Sequence, residues 1–331
     1  MAKEQAKPPP PTGRVVPWVT HATQETRGVL PLHSVDVDRH NARFVTAAAS
    51  PVVKIWDLSQ LVGESSGSGT SGAGRVEEAR SELLACLRVN SQSCDVARFA
   101  HKSDLLAVGD TQGSLYVFRR LEGRPAAEFG SDAPPSRENW KVAYCYRHST
   151  TNIIDLAWSP SDAFIAVGGL DNFVRVFSTR EKYREIQAIR CDGPVKGVAW
   201  HPEGCLLSAQ VAVQQSREPS AQSVMLWDTS TWNTVQVSLP SRVLRYQDRE
   251  PLFMRHSWSP DGEYCLLSYL KGPKKNEDGT QQIRNIAALC VWSAEEQVLR
   301  LESDVGGHKK PVTVTRFRPS LARIPNEGSE A

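Results

Sequence analysis

The chain has 331 residues, 40% of them hydrophobic and 23% charged, with a formal net charge of +2. That length can bury a large core, and the lack of helix-period stretches argues for one long all-β domain. So small a charge excludes a uniformly basic nucleic-acid-binding surface. No window approaches the roughly 20 apolar residues that span a bilayer, and prolines fill the start, MAKEQAKPPPPTGRVV, where a signal peptide would need an apolar run, so neither membrane insertion nor secretion is expected.

Residues 1–13 read as a Pro-rich, disordered tail, followed by RVVPWVTH at Arg14 to His21, which has the pattern of a strand. From there a segment recurs: an apolar pair, an aromatic followed by Ser-Pro or His-Pro, an acidic or glycine turn, and a second apolar run. Its best copies are Asp155 to Gly169, Gly197 to Gln210 and His256 to Tyr269, and weaker ones start at His33, Asp95 and Thr313. All but the last are followed by an alternating strand that ends on Trp56, Phe118, Phe177, Trp227 or Trp292. Alternation is the period of sheet strands, and a repeat of this kind is that of a WD-repeat β-propeller, with each aromatic closing the third strand of a blade.

The aromatics lie 50 to 65 residues apart, more than a blade of about 40 to 45 residues requires. Insertions at 63–80, 121–137, 211–222 and 271–285 account for the excess and read as flexible, solvated loops. The propeller thus covers 14–319, with five complete blades, the start of a sixth at Thr313 to Phe317, and a disordered tail at 320–331. Arg14 to His21 is expected to supply the outer strand of the last blade. Because a ring left open exposes sheet edges, the pattern predicts a truncated product, a fragment, or a ring completed by something outside the chain.

The seven cysteines, Cys86, Cys94, Cys145, Cys191, Cys205, Cys265 and Cys290, include no CxxC pair. Their places in apolar runs suit reduced, buried thiols, and their scatter argues against a zinc site. No GxSxG elbow, HExxH motif or phosphate-cradling loop occurs. Neither an enzyme, a cofactor nor a small-molecule substrate is therefore expected. His148, before a first strand, and Asp171, in the turn of GGLDNF, occupy the places where WD repeats set a His and an Asp that hydrogen-bond within one blade, a structural role. Asp110, in GDTQG, and His308, in GHKK, read the same way.

Trp158, Trp200 and Trp258 recur at one repeat position and read as core, whereas Trp140 and Trp232 fall outside the pattern and are candidate anchors for a partner. Two basic clusters, Lys271, Lys274 and Lys275, and Lys309, Lys310, Arg316 and Arg318, read first as solvated loops. If functional, they would meet acidic protein segments, DNA phosphates or an import receptor.

Several segments resemble the amino-terminal propeller of the HIRA histone chaperone family. Pro17 to His21 is similar to its T-W-V-x-H opening. Phe129, Gly130 and Ser131, followed by Glu138, Asn139 and Trp140, are similar to its second insertion. Arg147 to Phe164, Val195 to Gly204, and Gly307 to Pro319 resemble later family stretches. The first two turns depart from the family's Pro-Asp-Gly, with Asp38, Arg39 and His40, and then His101, Lys102 and Ser103. The resemblance implies a seven-bladed propeller and a nuclear, replication-independent nucleosome assembly complex acting in transcriptional silencing. It also implies a ubinuclein-type subunit as partner, histones met through the complex, and DNA contact that is at most indirect. The family segments that follow the propeller have no counterpart here. Rival readings are the mid-size subunit of the replication-coupled chromatin assembly factor and a substrate receptor of a ubiquitin ligase.

Overall fold

In the computed structural model of the protein, the residues described are 19, 21, 30–38, 40–58, 83–123, 125, 136–212, 223–239, 251–275 and 281–317. They form five sheets in chain order, antiparallel except for one parallel pair in the fifth. The first holds β1 (Leu32–Asp38), β2 (Arg43–Ala48), β3 (Val52–Asp57) and β4 (Leu83–Arg88); the second holds β5 (Cys94–Phe99), β6 (Leu105–Asp110), β7 (Ser114–Leu121) and β8 (Asn139–Arg147). The third runs β9 (Ile153–Trp158), β10 (Phe164–Gly169), β11 (Phe173–Ser178) and β12 (Arg184–Arg190). This is the sheet-per-repeat architecture of a propeller.

The burial of each strand reflects its place in a blade. First strands such as β5 and β13 (Val195–Trp200) are buried along their whole length, while the fourth strand β8 is half-buried or exposed throughout. First strands pack on one another in series, β1 on β5, β5 on β9, β9 on β13, and β13 on β17 (Ser257–Trp258). Two glycines make this approach possible: a Cβ at Gly109 would lie 2.4 Å from the Ile153 side chain, and one at Gly168 would lie 2.5 Å from Val195. In each case the second strand of one blade receives the first strand of the next, and no side chain fits between them.

The fourth and fifth blades depart from the simple pattern. The fourth keeps three strands, β13, β14 (Leu206–Val211) and β15 (Val224–Asp228), while the short β16 (Gln236–Ser238) pairs in parallel with β20 (Val298–His308) of the fifth sheet. In the fifth blade, β18 (Tyr264–Lys275) and β19 (Gln281–Ser293) remain paired from Tyr264 opposite Val291 out to Lys275 opposite Gln281. The insertion expected as a solvated loop at 271–285 is therefore mostly a hairpin extension. Its ladder continues the core register after a shift between Leu267 and Leu270, because each further backbone pair satisfies groups that would otherwise need water. The segment Thr313 to Phe317 runs beside the fifth blade through an isolated parallel bridge: Arg255 N–H donates to Thr313 O at 2.9 Å, and Thr315 N–H donates to Arg255 O at 2.9 Å.

The insertion at 63–80, all of that at 211–222 except Val211 and Ala212, the Phe129–Ser131 tripeptide, the end tails and Arg318 lie outside the described residues, as does all of Arg14 to His21 except Val19 and His21.

Candidate protein-interaction site

The first strands converge on a cavity of about 580 Å³ at one end of the axis, where the turns between first and second strands meet. Its wall carries Phe99, Trp158, Trp200, Trp258 and Phe317, with Arg98, Lys102, Arg316 and Asp36 as its charges. A cavity of this size with aromatic walls and convergent polar groups is a usual setting for ligand recognition. The three indoles also tie neighbouring blades together. Trp158 Nε1 donates to Arg98 O at 3.0 Å, Trp200 Nε1 to Ala157 O at 3.1 Å, and Trp258 Nε1 to Ser208 Oγ at 2.9 Å.

Below the cavity the axis is held by charge. Asp155, 3% exposed, faces Arg98 and Arg255 at 3.1 Å each, and its other oxygen accepts the Val198 N–H at 3.1 Å. Arg255, 2% exposed, also donates to the backbone oxygens of Asp95, Ile154 and His33, so one guanidinium joins the first strands of three other blades. Burial pulls the Arg255 pKa down to about 10, against the pull of Asp155.

The predicted structural network is formed most fully by residues that repeat searching passes over. His21 Nε2 lies 2.8 Å from Thr46 Oγ1, which also accepts the Trp56 indole N–H at 2.8 Å. His21 is 1% exposed, and burial, with the Lys54 charge second, lowers its pKa to about 4. At the matching place in the third blade, register sets Val167 and Phe177 where the first has Thr46 and Trp56. His148 accordingly packs its ring 4.2 Å from that of Phe177, and its Nε2 lies 3.2 Å from Tyr144 Oη.

Asp171 instead accepts a bond from Arg175 Nη1 at 2.5 Å, on its own turn. Asp110 accepts the backbone N–H groups of Gln112 and Ser114 and so fixes the β6–β7 turn, while its other carboxylate oxygen is buried without a hydrogen-bond partner. His308 corrects the expectation, since it is exposed and paired opposite Asn285 at the end of β20. His21 closes on a hydroxyl of the following sheet's second strand, Thr46, and the described residues include no such strand after Thr313 to Phe317.

Trp140 and Trp232, the candidate anchors for a partner, are each half-buried against the protein itself. The Trp140 ring lies 5.3 Å from the guanidinium of Arg43 and 6.2 Å from Phe99, and its indole N–H donates to Glu138. Trp232, at a positive φ of 59°, packs on the apolar cluster of the third and fourth blades. Lys309 and Lys310 are exposed at the end of β20, and Arg316 is exposed at the cavity wall. Lys271, Lys274 and Lys275 lie on the outer half of β18.

The thiols are all free, but only Cys94, Cys191, Cys265 and Cys290 are buried. Cys86 and Cys145 lie on outer strands and Cys205 in a turn, where all three are exposed, against the expectation of buried thiols. The expectation that no metal ligands cluster also fails, because donor atoms of His201, Glu203 and Cys205 all lie within 4.8 Å of one another.

A family profile described as "WD domain, G-beta repeat" matches residues 140–178, which run from β8 through β11. A chain of the "Crystal Structure of Mitotic Checkpoint Complex" superposes with a TM-score of 0.58 at 15% identity, covering 88% of this chain and 69% of that one, a likeness of fold alone. Five serial sheets with buried first strands, together with this match, define a WD-repeat β-propeller. The chain is 27% identical to "Protein HIR1" of Cryptococcus neoformans over 92% of its own length and 31% of that protein's. It is 24% identical to "Protein hir1" of Schizosaccharomyces pombe over 94% and 30%, and 30% identical to "Protein HIRA" of Zea mays over 49% and 15%. The chain is thus similar to HIR1 proteins over most of its own length, and it spans less than a third of theirs.

Proposed function

We propose that this chain is the propeller part of a HIRA-like histone chaperone subunit, a non-catalytic scaffold acting in the nucleus in replication-independent nucleosome assembly and transcriptional regulation. The observation that carries this reading is the extent of the similarity to HIR1 proteins, which runs through 92 to 94% of the chain rather than through a single repeat. Binding is by recognition on a rigid frame, with no bond made or broken. The partner is a ubinuclein-type subunit, histones are reached through the complex, and DNA contact is at most indirect. The axial mouth suits such a role, with aromatic walls for apolar side chains and Lys102 and Arg316 for acidic ones.

Affinity capture of the tagged chain from nuclear extract tests this reading. Recovery of a ubinuclein-type subunit with histones is the expected result. Recovery of the large subunit of the replication-coupled assembly factor, or of cullin adaptors, would replace it with one of the rival readings.

A further inference from the structure

The turn between β13 and β14 reads His201-Pro-Glu-Gly-Cys205, and its fold draws three different metal-ligating groups to one point. The turn closes through Gly204 N–H on His201 O at 2.8 Å, with Gly204 at a φ of +80°, a conformation that suits glycine. His201 is 3% exposed and firmly seated: its ring meets the Trp258 ring edge-on at 5.0 Å, and a Cβ at Gly262 would lie 2.3 Å from its Nε2. Nε2 lies 3.1 Å from Gly262 O. A carbonyl only accepts, so the ring proton sits on Nε2 and the lone pair of Nδ1 faces the turn. Nδ1 lies 3.3 Å from Cys205 Sγ and 3.2 Å from the Glu203 N–H.

We propose that His201 Nδ1, Glu203 and Cys205 Sγ form a binding site for a borderline-soft divalent metal ion, zinc above all. Bonds of about 2.0 Å to nitrogen and about 2.3 Å to sulfur at a tetrahedral angle place those two atoms roughly 3.5 Å apart, close to the separation already present. A ligand histidine ordinarily donates its other ring N–H to a carbonyl or carboxylate, as His201 does to Gly262. On binding, the ion takes the lone pair of Nδ1, displacing toward solvent the Glu203 N–H that now donates to it. It also takes the thiolate of Cys205, whose proton passes to solvent, and the Glu203 carboxylate swings in as third ligand. Glu203 and Cys205 belong to an exposed turn next to Pro202 of the axial cavity, so the fourth position opens to water or to a donor from a docked protein.

The test uses the full chain, reduced and stripped with chelator, in a Cys86→Ser/Cys145→Ser background that removes the other exposed thiols. Titration with cobalt(II) is expected to give one equivalent bound and a thiolate-to-cobalt charge-transfer band that zinc(II) abolishes. Cys205→Ala, checked for folding by circular dichroism, is expected to lose the band, and Glu203→Gln to weaken cobalt binding at least tenfold. A reduced protein without the band, a band that persists in Cys205→Ala, or unchanged affinity in Glu203→Gln overturns the site.

Discussion

Arg43 and Arg255 are the two most deeply buried arginines among the described residues, and they are held in opposite ways. Arg43, 1% exposed, sits between the first two blades with three carboxylates, at 2.8 Å from Asp38, 2.8 Å from Asp104 and 2.6 Å from Glu138, under the faces of Phe99 and Trp140. Burial alone would lower its pKa, but the bonds to Asp38 and the charge of Glu138 outweigh it and raise the value. Arg255, on the axis, shares one carboxylate with Arg98 and otherwise relies on backbone oxygens. Where carboxylates are plural, losing one leaves the charge paired. Where one carboxylate serves two guanidiniums, it cannot be spared.

The sharpest break of this contrast is Asp155→Asn. It leaves Arg98 and Arg255 buried without a carboxylate in ion-pair contact, the charge of Asp95 acting on Arg255 only more weakly, and is expected to lower stability by about 3–5 kcal/mol in urea unfolding. A loss below about 1 kcal/mol would put the axis on the same footing as Arg43. Thr46→Val asks whether lack of redundancy, rather than charge, sets the cost. It removes the single hydroxyl shared by His21 and Trp56, with an expected loss of about 1–3 kcal/mol.

Acidification probes both regions together. His21 in the first blade and His256 beside the axis both have folded pKa values lowered to about 4 by burial. Each is neutral when folded, and the unfolded chain takes up its proton near pH 6.5. Stability is therefore full above about pH 6.5 and falls as pH drops toward 4, by roughly 1 kcal/mol per pH unit for each histidine. His21→Gln should flatten the slope of the unfolding midpoint against pH, and an unchanged slope would remove His21 from the account. The smallest effect is expected for Asp104→Asn, whose side chain is 47% exposed. With Asp38 and Glu138 still in place, the loss should stay below about 1 kcal/mol, and a larger one would mean that the three carboxylates act as a unit.

What the sequence made legible was whatever repeats. Trp56, Phe118, Phe177 and Trp227 lie on third strands as their alternating runs implied, and Thr313 to Phe317 lies beside the fifth first strand. What stayed hidden depends on register and turn shape. Thr46 is one threonine in an alanine-rich run, and only the pairing of β2 with β3, together with the seat of His21, makes it a shared acceptor. Trp140 stands outside the repeat and so read only as a candidate anchor, because the cation beneath it, Arg43, lies far away in sequence. His201 and Cys205 read as scattered residues because their convergence depends on the conformation of Gly204.

The indole bonds around the axis all point the same way. Trp158, Trp200 and Trp258 each donate to an acceptor on the blade before their own. During synthesis from the amino terminus, every such acceptor has left the ribosome before its donor arrives. Each new blade thus meets a finished template, and the ring can be laid down in the order in which it is translated.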